Sequence, residues 1–314
     1  MDIGDFIAAR HEELKAWGKY VVKTVRPHVR ALLKVPASFR VKGTVSAQAK
    51  QVRKGYTYPE CDMNDLVGAR FVVLTSNDLE PVQRIILNHE AWTCKATRDP
   101  VFESIQDPNS FVYQSHHYEV RPRAPMFLGE TTVQPDICCE VQIRTLLQHA
   151  YAELTHDTFY KPDQTIPSHA ERLVARSMAL METTDELLCR ALEAVTKANQ
   201  PVTDLASRAR EIASSVDQPE ANRLIRMIAC EFPELVSPGA SEELRDLTAR
   251  RPYVLDRIRE RHGTGLFDFP AAALVGYWVA DRLETEALPR WPLAGSHTEF
   301  NQMLTDLGVA SPTH

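Results

Sequence analysis

Hydrophobic positions recur at helical spacing over Ile3–Leu33, with Phe6, Leu14, Trp17, Val21 and Val25 roughly on one face. That spacing predicts one long helix or two, with Pro27 kinking or dividing it. A short helix is expected over Val45–Lys54, carrying Lys50, Arg53 and Lys54. The run GARFVVL, Gly68–Leu74, is rich in β-branched and aromatic residues and reads as a buried strand. Asn77–Leu87 reads as a helix, Ala91–Ala96 as a strand, and Phe111–Val120 as a strand whose second half alternates. In Ile137–Thr145 the alternation is complete. Ile137, Cys139, Val141 and Ile143 share one face, while Cys138, Glu140, Gln142 and Arg144 share the other. A strand buried on both faces has no use for a carboxylate, an amide and a guanidinium side by side, so that face is a candidate site. Helical period returns over Leu146–Tyr160 and Ala170–Ala198. Asn199–Pro219 reads as a boundary containing a short helix, and residues 220–314 read as helical.

This order of elements predicts an α/β (α+β) fold, a mixed β-sheet flanked by helices with a helical C-terminal extension. The expected organisation is N-terminal helices over 1–40, a core domain over 41–198 and a helical region over 199–314. At 314 residues, 44% hydrophobic and 25% charged, the chain fits one large or two modest globular domains. No apolar run reaches the roughly 18–20 residues of a membrane helix; Phe269–Ala280 is short and contains Pro270 and Gly276. Acidic residues in the first stretch, MDIGDFIAARHEELK, do not suit an export signal, and the six cysteines form no C-x-x-C pair. A cytoplasmic setting with reduced thiols is expected.

Charge changes the picture. The net charge of −6 hides a segment, Lys15–Pro59, with eleven Lys or Arg residues and no acid, leaving 25 bases against 42 acids elsewhere. A window so depleted of acids points to a polyanion, either nucleotide phosphates or nucleic acid, or to a basic face docked on the acidic remainder of the chain. Candidate chemistry lies close by. Asp65 stands just before the GARFVVL strand, and Glu140 stands on another strand. Two such carboxylates can hold Mg²⁺, which keeps several waters and bridges phosphate oxygens.

Five strings occur in order: S-x-x-x-K (Ser46 to Lys50), D-L-x-x-x-R (Asp65 to Arg70), Y-x-S-x-H (Tyr113 to His117), E-V-Q-I-R-T (Glu140 to Thr145) and H-x-x-x-Y-K (His156 to Lys161). Together they resemble the synthetase domain of the RelA/SpoT family, from about Arg40 to Lys161. The resemblance implies a nucleotidyltransferase-like fold and attack by a ribose 3′ hydroxyl on the β-phosphate of ATP, releasing AMP. It implies that Asp65 binds Mg²⁺ and that Glu140 binds the metal or activates the hydroxyl. Lys50, with Arg53 or Lys54, would neutralise the ATP phosphates, and Tyr113 would stack on the acceptor base. His117 and Gln142 would position phosphate or ribose; Arg70 and Arg144 would bind substrate or anchor the sheet.

The family's hydrolase domain precedes the synthetase, and about 40 residues before the matched region are too few for it. The His156–Asp157 pair is read as incidental to metal hydrolysis, so a synthetase-only member is expected. Three features depart from the family pattern. DPNSFVY replaces the basic, Asn-Gly approach to the tyrosine, Ala49 stands where long members often place an arginine, and 220–314 has no counterpart in minimal synthetases. Three readings therefore stand: an alarmone synthetase making (p)ppGpp from GTP or GDP, or an adenosine analogue of it; an enzyme that pyrophosphorylates the 3′ CCA end of tRNA; and a non-catalytic nucleotide- or RNA-sensing module. In the C-terminal region, amphipathic Leu266–Leu283 and Glu299–Leu307 leave a role in homo-oligomerisation or binding a protein partner open.

Overall fold

The structure, a computed structural model, describes residues 2–58, 62–107, 115–158 and 166–309. Two compact units divide the chain, Met1–Ala191 and Leu192–His314. In the first, α1 (Ile3–Ala9) and α2 (His11–Val29) lead into β1 (Leu33–Val41) and α3 (Thr44–Lys54). There follow β2 (Val67–Val73), α4 (Leu79–Asn88), β3 (Trp92–Arg98), α5 (Pro100–Gln106) and β4 (His116–Pro122). A small hairpin, β5 (Met126–Leu128) and β6 (Thr131–Val133), precedes β7 (Cys139–Thr145) and α6 (Leu146–Thr158). The long α7 (Ser168–Ile212) supplies its first part to this unit and its last part to the second.

Five strands form one mixed sheet in the order β1-β2-β7-β4-β3. The central β2 and β7 are parallel and every other neighbouring pair is antiparallel. Period two decides which face meets the core. Val67, Ala69 and Phe71 of β2, Cys139, Val141 and Ile143 of β7, and Tyr118 and Val120 of β4 all pack against Leu14, Trp17, Val21 and Val25 of α2 and Val82 and Ile86 of α4. Trp17 is fully buried, donates its indole N–H to the Val120 carbonyl at 3.1 Å, and meets Trp92 edge to face at 6.2 Å. Gly18 beside it brings α2 close to the sheet, since a Cβ there would meet the Phe39 ring at 2.6 Å and Val67 at 2.8 Å.

Local chemistry sets the element ends, in places differently from the sequence expectation. Pro27 does not divide the N-terminal helices; it lies inside α2. The break falls at Arg10, which leaves helical geometry and whose guanidinium pairs with Glu13 and Asp136. The left-handed Gly55, φ +65°, closes α3, returning its N–H to the Gln51 and Val52 carbonyls. β1 lies where no strand was expected, and α7 runs to Ile212 with Pro201 inside it, through the stretch read as a boundary.

The second unit is helical: α8 (Pro219–Glu231), α9 (Ala240–Arg250), α10 (Tyr253–Glu260), α11 (Pro270–Leu283) and α12 (His297–Asp306). Ala271 to Ala280 of α11 are buried without interruption, as expected of a helix apolar all round and wrapped by others. Pro270 opens this helix at its first turn, where no backbone donor is lost. No helix of the described residues is long and apolar enough to cross a membrane.

Trp17→Ala tests the packing of the first unit. It should cost roughly 3–5 kcal/mol in urea unfolding, the range for deleting a fully buried aromatic side chain; a loss under about 1 kcal/mol would contradict this core.

Candidate active site

The residues left over from the core define the site. While 67, 69 and 71 of β2 point inward, Gly68 and Arg70 take the opposite face, and β7 does the same with Glu140, Gln142 and Arg144. Register lines these up: Gly68 lies opposite Glu140 and Arg70 opposite Gln142 across the parallel pair. On either side, Arg40 of β1 stands opposite Gly68, and His117 of β4 opposite Gln142. The result is a polar face with a cleft of about 730 Å³, lined among others by Arg40, Asp65, Arg70, Arg98, Glu140 and Arg144. Gly68 leaves its floor bare, because the nearest atoms a Cβ would meet there are 3.9 Å away.

Asp65 enters the cleft from the turn before β2. Its Oδ2 accepts from Lys42 Nζ at 2.6 Å and Lys50 Nζ at 2.8 Å. Burial alone would raise its pKa, but the hydrogen bonds and charges of the two lysines outweigh it and hold the carboxyl below its ordinary value. Its Oδ1 is buried with no partner among the described residues, a lone-pair donor facing a polar site.

Glu140 sits at the middle of a relay. His117 Nδ1 lies 3.4 Å from Oε1, and Gln142 Nε2 donates to Oε2 at 2.7 Å. Gln142 in turn accepts from Arg144. Burial pushes the Glu140 pKa up, His117 and Gln142 pull it down further, and Asp65 opposes them, so the net shift is downward. The action of Asp65 on Glu140 means the two carboxylates feel each other within one cleft.

Of the residues read from sequence, the structure brings Asp65, Arg70, Glu140, Gln142 and Arg144 to the cleft, with Lys50 bound to Asp65 and His117 to Glu140. Arg70 also pairs with Glu153 of α6 at 2.7 Å, so it lines the cleft and ties the helix to the sheet at once. Arg53 and Lys54 are not brought there; they are exposed at the C-terminal end of α3 and do not line the cleft. Tyr113, the side chain of His156, Tyr160 and Lys161 lie outside the described residues. Lys42, Arg40 and Arg98 were not singled out by sequence. Lys42 and Arg40 belong to the basic run, and their places follow once β1 is known to be a strand. Arg98 is placed only by pairing with His117 across β3 and β4.

One face of the mixed sheet is sealed by helices, and the other presents two carboxylates among guanidinium groups, a charge pattern suited to an anionic ligand. Residues 39–165 match the region found in RelA / SpoT proteins. The chain is 27% identical over 148 residues to GTP pyrophosphokinase YjbM of Bacillus subtilis, spanning 47% of this chain and 66% of that protein. Over 132 residues it is 27% identical to GTP pyrophosphokinase YwaC of the same organism, spanning 41% and 59%. The chain thus spans somewhat under two thirds of the length of these relatives. In fold it is similar to a GTP pyrophosphokinase family protein from Streptococcus pneumoniae (TM-score 0.50, 22% identity, 63% of this chain and 96% of that one). The small alarmone synthetase 1 of B. subtilis, bound to its product pppGpp, aligns at TM-score 0.50 and 20% identity, over 62% of this chain and 97% of that one.

The lysine pair makes a pH prediction. A depressed folded pKa means that the Asp65 contribution to stability is complete above the ordinary value of 3.8 and is lost as pH falls through the folded value. The difference in unfolding free energy between the wild type and Asp65→Asn should be constant from neutrality to about pH 5 and shrink below it. A pH-independent difference would mean that the lysines do not hold an ionised Asp65.

Proposed function

We propose that the first unit transfers pyrophosphate from ATP to the 3′ hydroxyl of a guanosine nucleotide, giving (p)ppGpp. The observation that carries this reading is the pair Asp65 and Glu140 in one cleft among Arg40, Arg70, Arg98 and Arg144. Pure nucleotide binding needs cations but gains nothing from two ionised carboxylates beside the phosphates. The match to RelA / SpoT proteins and the likeness to two GTP pyrophosphokinases support the same reaction.

In this reaction the acceptor 3′ oxygen bonds to the β-phosphorus, and the bond from that phosphorus to the oxygen shared with the α-phosphate breaks. AMP leaves with the electron pair. Glu140 takes the hydroxyl proton, and His117, 3.4 Å from Oε1, keeps the carboxylate ionised and able to accept it. The arginines offset charge on the phosphates. Lys42 and Lys50, bound to Asp65 in the free site, have phosphate oxygens as alternative partners once a triphosphate enters.

Mg²⁺ fits the donor set. Asp65 Oδ1 is buried and unpartnered among the described residues, so Asp65 would hold the ion, with waters and substrate phosphates completing its shell. Bound there, Mg²⁺ would neutralise charge on the phosphoryl oxygens. Stacking of the acceptor base on Tyr113 rests on the family resemblance.

The acceptor is tested by supplying γ-³²P-ATP with GDP, GTP, ADP, ATP and bulk tRNA in separate reactions. Label is expected in the guanosine nucleotides, with Asp65→Asn and Glu140→Gln each lowering transfer by roughly a hundredfold or more. Label in tRNA alone, or variants as active as the wild type, would overturn the proposal.

A further inference from the structure

The eleven cations of Lys15–Pro59 do not form one site. Arg40 lines the cleft, and Lys42 and Lys50 bind Asp65. Five others, Lys15, Lys19, Lys23, Arg26 and Arg30, follow the helical period from α2 into its C-cap. At about 100° per residue they fall within about 80° of one another, and at 1.5 Å per residue the row is about 22 Å long. All five are exposed. Lys15 lies 3.9 Å from Glu12; among the described residues the other four make no ion pair.

The fold puts this row on the far side of the sheet from the cleft. Leu14, Trp17, Val21 and Val25 of α2 pack on the face carrying Val67, Ala69, Val141 and Ile143, while Arg70, Glu140 and Gln142 occupy the other. The row therefore cannot serve the phosphates of a nucleotide bound beside Glu140.

We propose that this face of α2 is a nucleic-acid-binding surface, distinct from the cleft, that holds a phosphodiester backbone. Like charges at i,i+3 and i,i+4 repel along the helix, and a polyanion relieves that repulsion. A cation about every 6 Å over about 22 Å suits a polymer of phosphates rather than the short phosphate chain of a mononucleotide. An anionic membrane fits less well. The apolar face of α2 is spent in the core, and the exposed large apolar side chains of the described residues include none on α2, so nothing inserts. With no aromatic side chain in the row, bases are not stacked and sequence is not read.

The test does not rest on the pyrophosphate-transfer reading, because binding is measured without turnover. Fluorescence anisotropy would follow labelled oligo-U, oligo-A and single-stranded DNA of about 20 nucleotides, where each neutralised phosphate contributes about −0.7 to the slope of log K against log salt. Five contacts predict a slope near −3.5 and a roughly hundredfold loss of affinity between about 50 and 200 mM salt, alike for all three oligomers. Replacing Lys15, Lys19, Lys23, Arg26 and Arg30 with Gln should weaken binding at least roughly tenfold at the lower salt and flatten the slope. Should that variant fold poorly by circular dichroism, Lys19→Glu with Lys23→Glu gives the same readout with two exposed changes. Undiminished binding by a folded variant, displacement of the oligomer by a non-hydrolysable ATP analogue, or binding to phosphatidylserine vesicles in place of oligomers would each overturn the proposal.

Discussion

Everything in the first unit depends on the in-register parallel pairing of β2 with β7. A strand alternates its side chains, and two strands in register alternate together. Val67, Ala69 and Phe71 thus share a face with Cys139, Val141 and Ile143, and that face is buried against α2 and α4. Gly68 and Arg70 are left beside Glu140 and Gln142 on the other. Slipping β7 by one residue would turn Glu140 into the core and Val141 out, and slipping β2 would turn Arg70 in and Phe71 out, so the hydrophobic effect that fixes the fold also fixes the site.

Electrostatics then has to make such a site tolerable when no substrate is present. Two carboxylates in one cleft repel, and burial favours their neutral forms. The chain meets this locally: two lysines hold Asp65, and His117 with Gln142 holds Glu140. Both carboxyls have lowered pKa values in spite of burial. Such an arrangement is also a store of replaceable interactions. On the proposed function, a triphosphate would give the lysines new partners, and a divalent cation would give Asp65 one.

Much of this was legible in the sequence wherever one segment carries its own alternation. β7 is the clearest case, since CEVQIRT places Glu140, Gln142 and Arg144 on one face without outside help. β1 was not legible. Its pairing with β2 is interrupted between Leu33 and Val35 and again between Val35 and Ser38, and Pro36 lies inside it. Arg40 and Lys42 were consequently seen as charge in a run rather than as walls of a cleft. Composition also merged two surfaces into one: helical period sends Lys15 to Arg30 to one side of the sheet, and strand period sends Arg40 to the other. The stretch Asn199–Pro219, read as a connection with a short helix inside, is instead the end of a long helix as far as Ile212, although the division into compact units falls nearby, at Ala191/Leu192. Pro201 looks like punctuation, but the helix runs past it to Ile212.

The central claim, that this cleft moves a pyrophosphoryl group rather than a single phosphoryl group, is tested most directly by the co-product. Quantifying AMP and ADP by ion-exchange chromatography during turnover of unlabelled ATP, with GTP or GDP as acceptor, separates the two chemistries. AMP should form in equal amount to the ATP consumed, and roughly a hundredfold more slowly with Glu140→Gln. ADP as the stoichiometric product, or AMP made equally well by that variant, would contradict it.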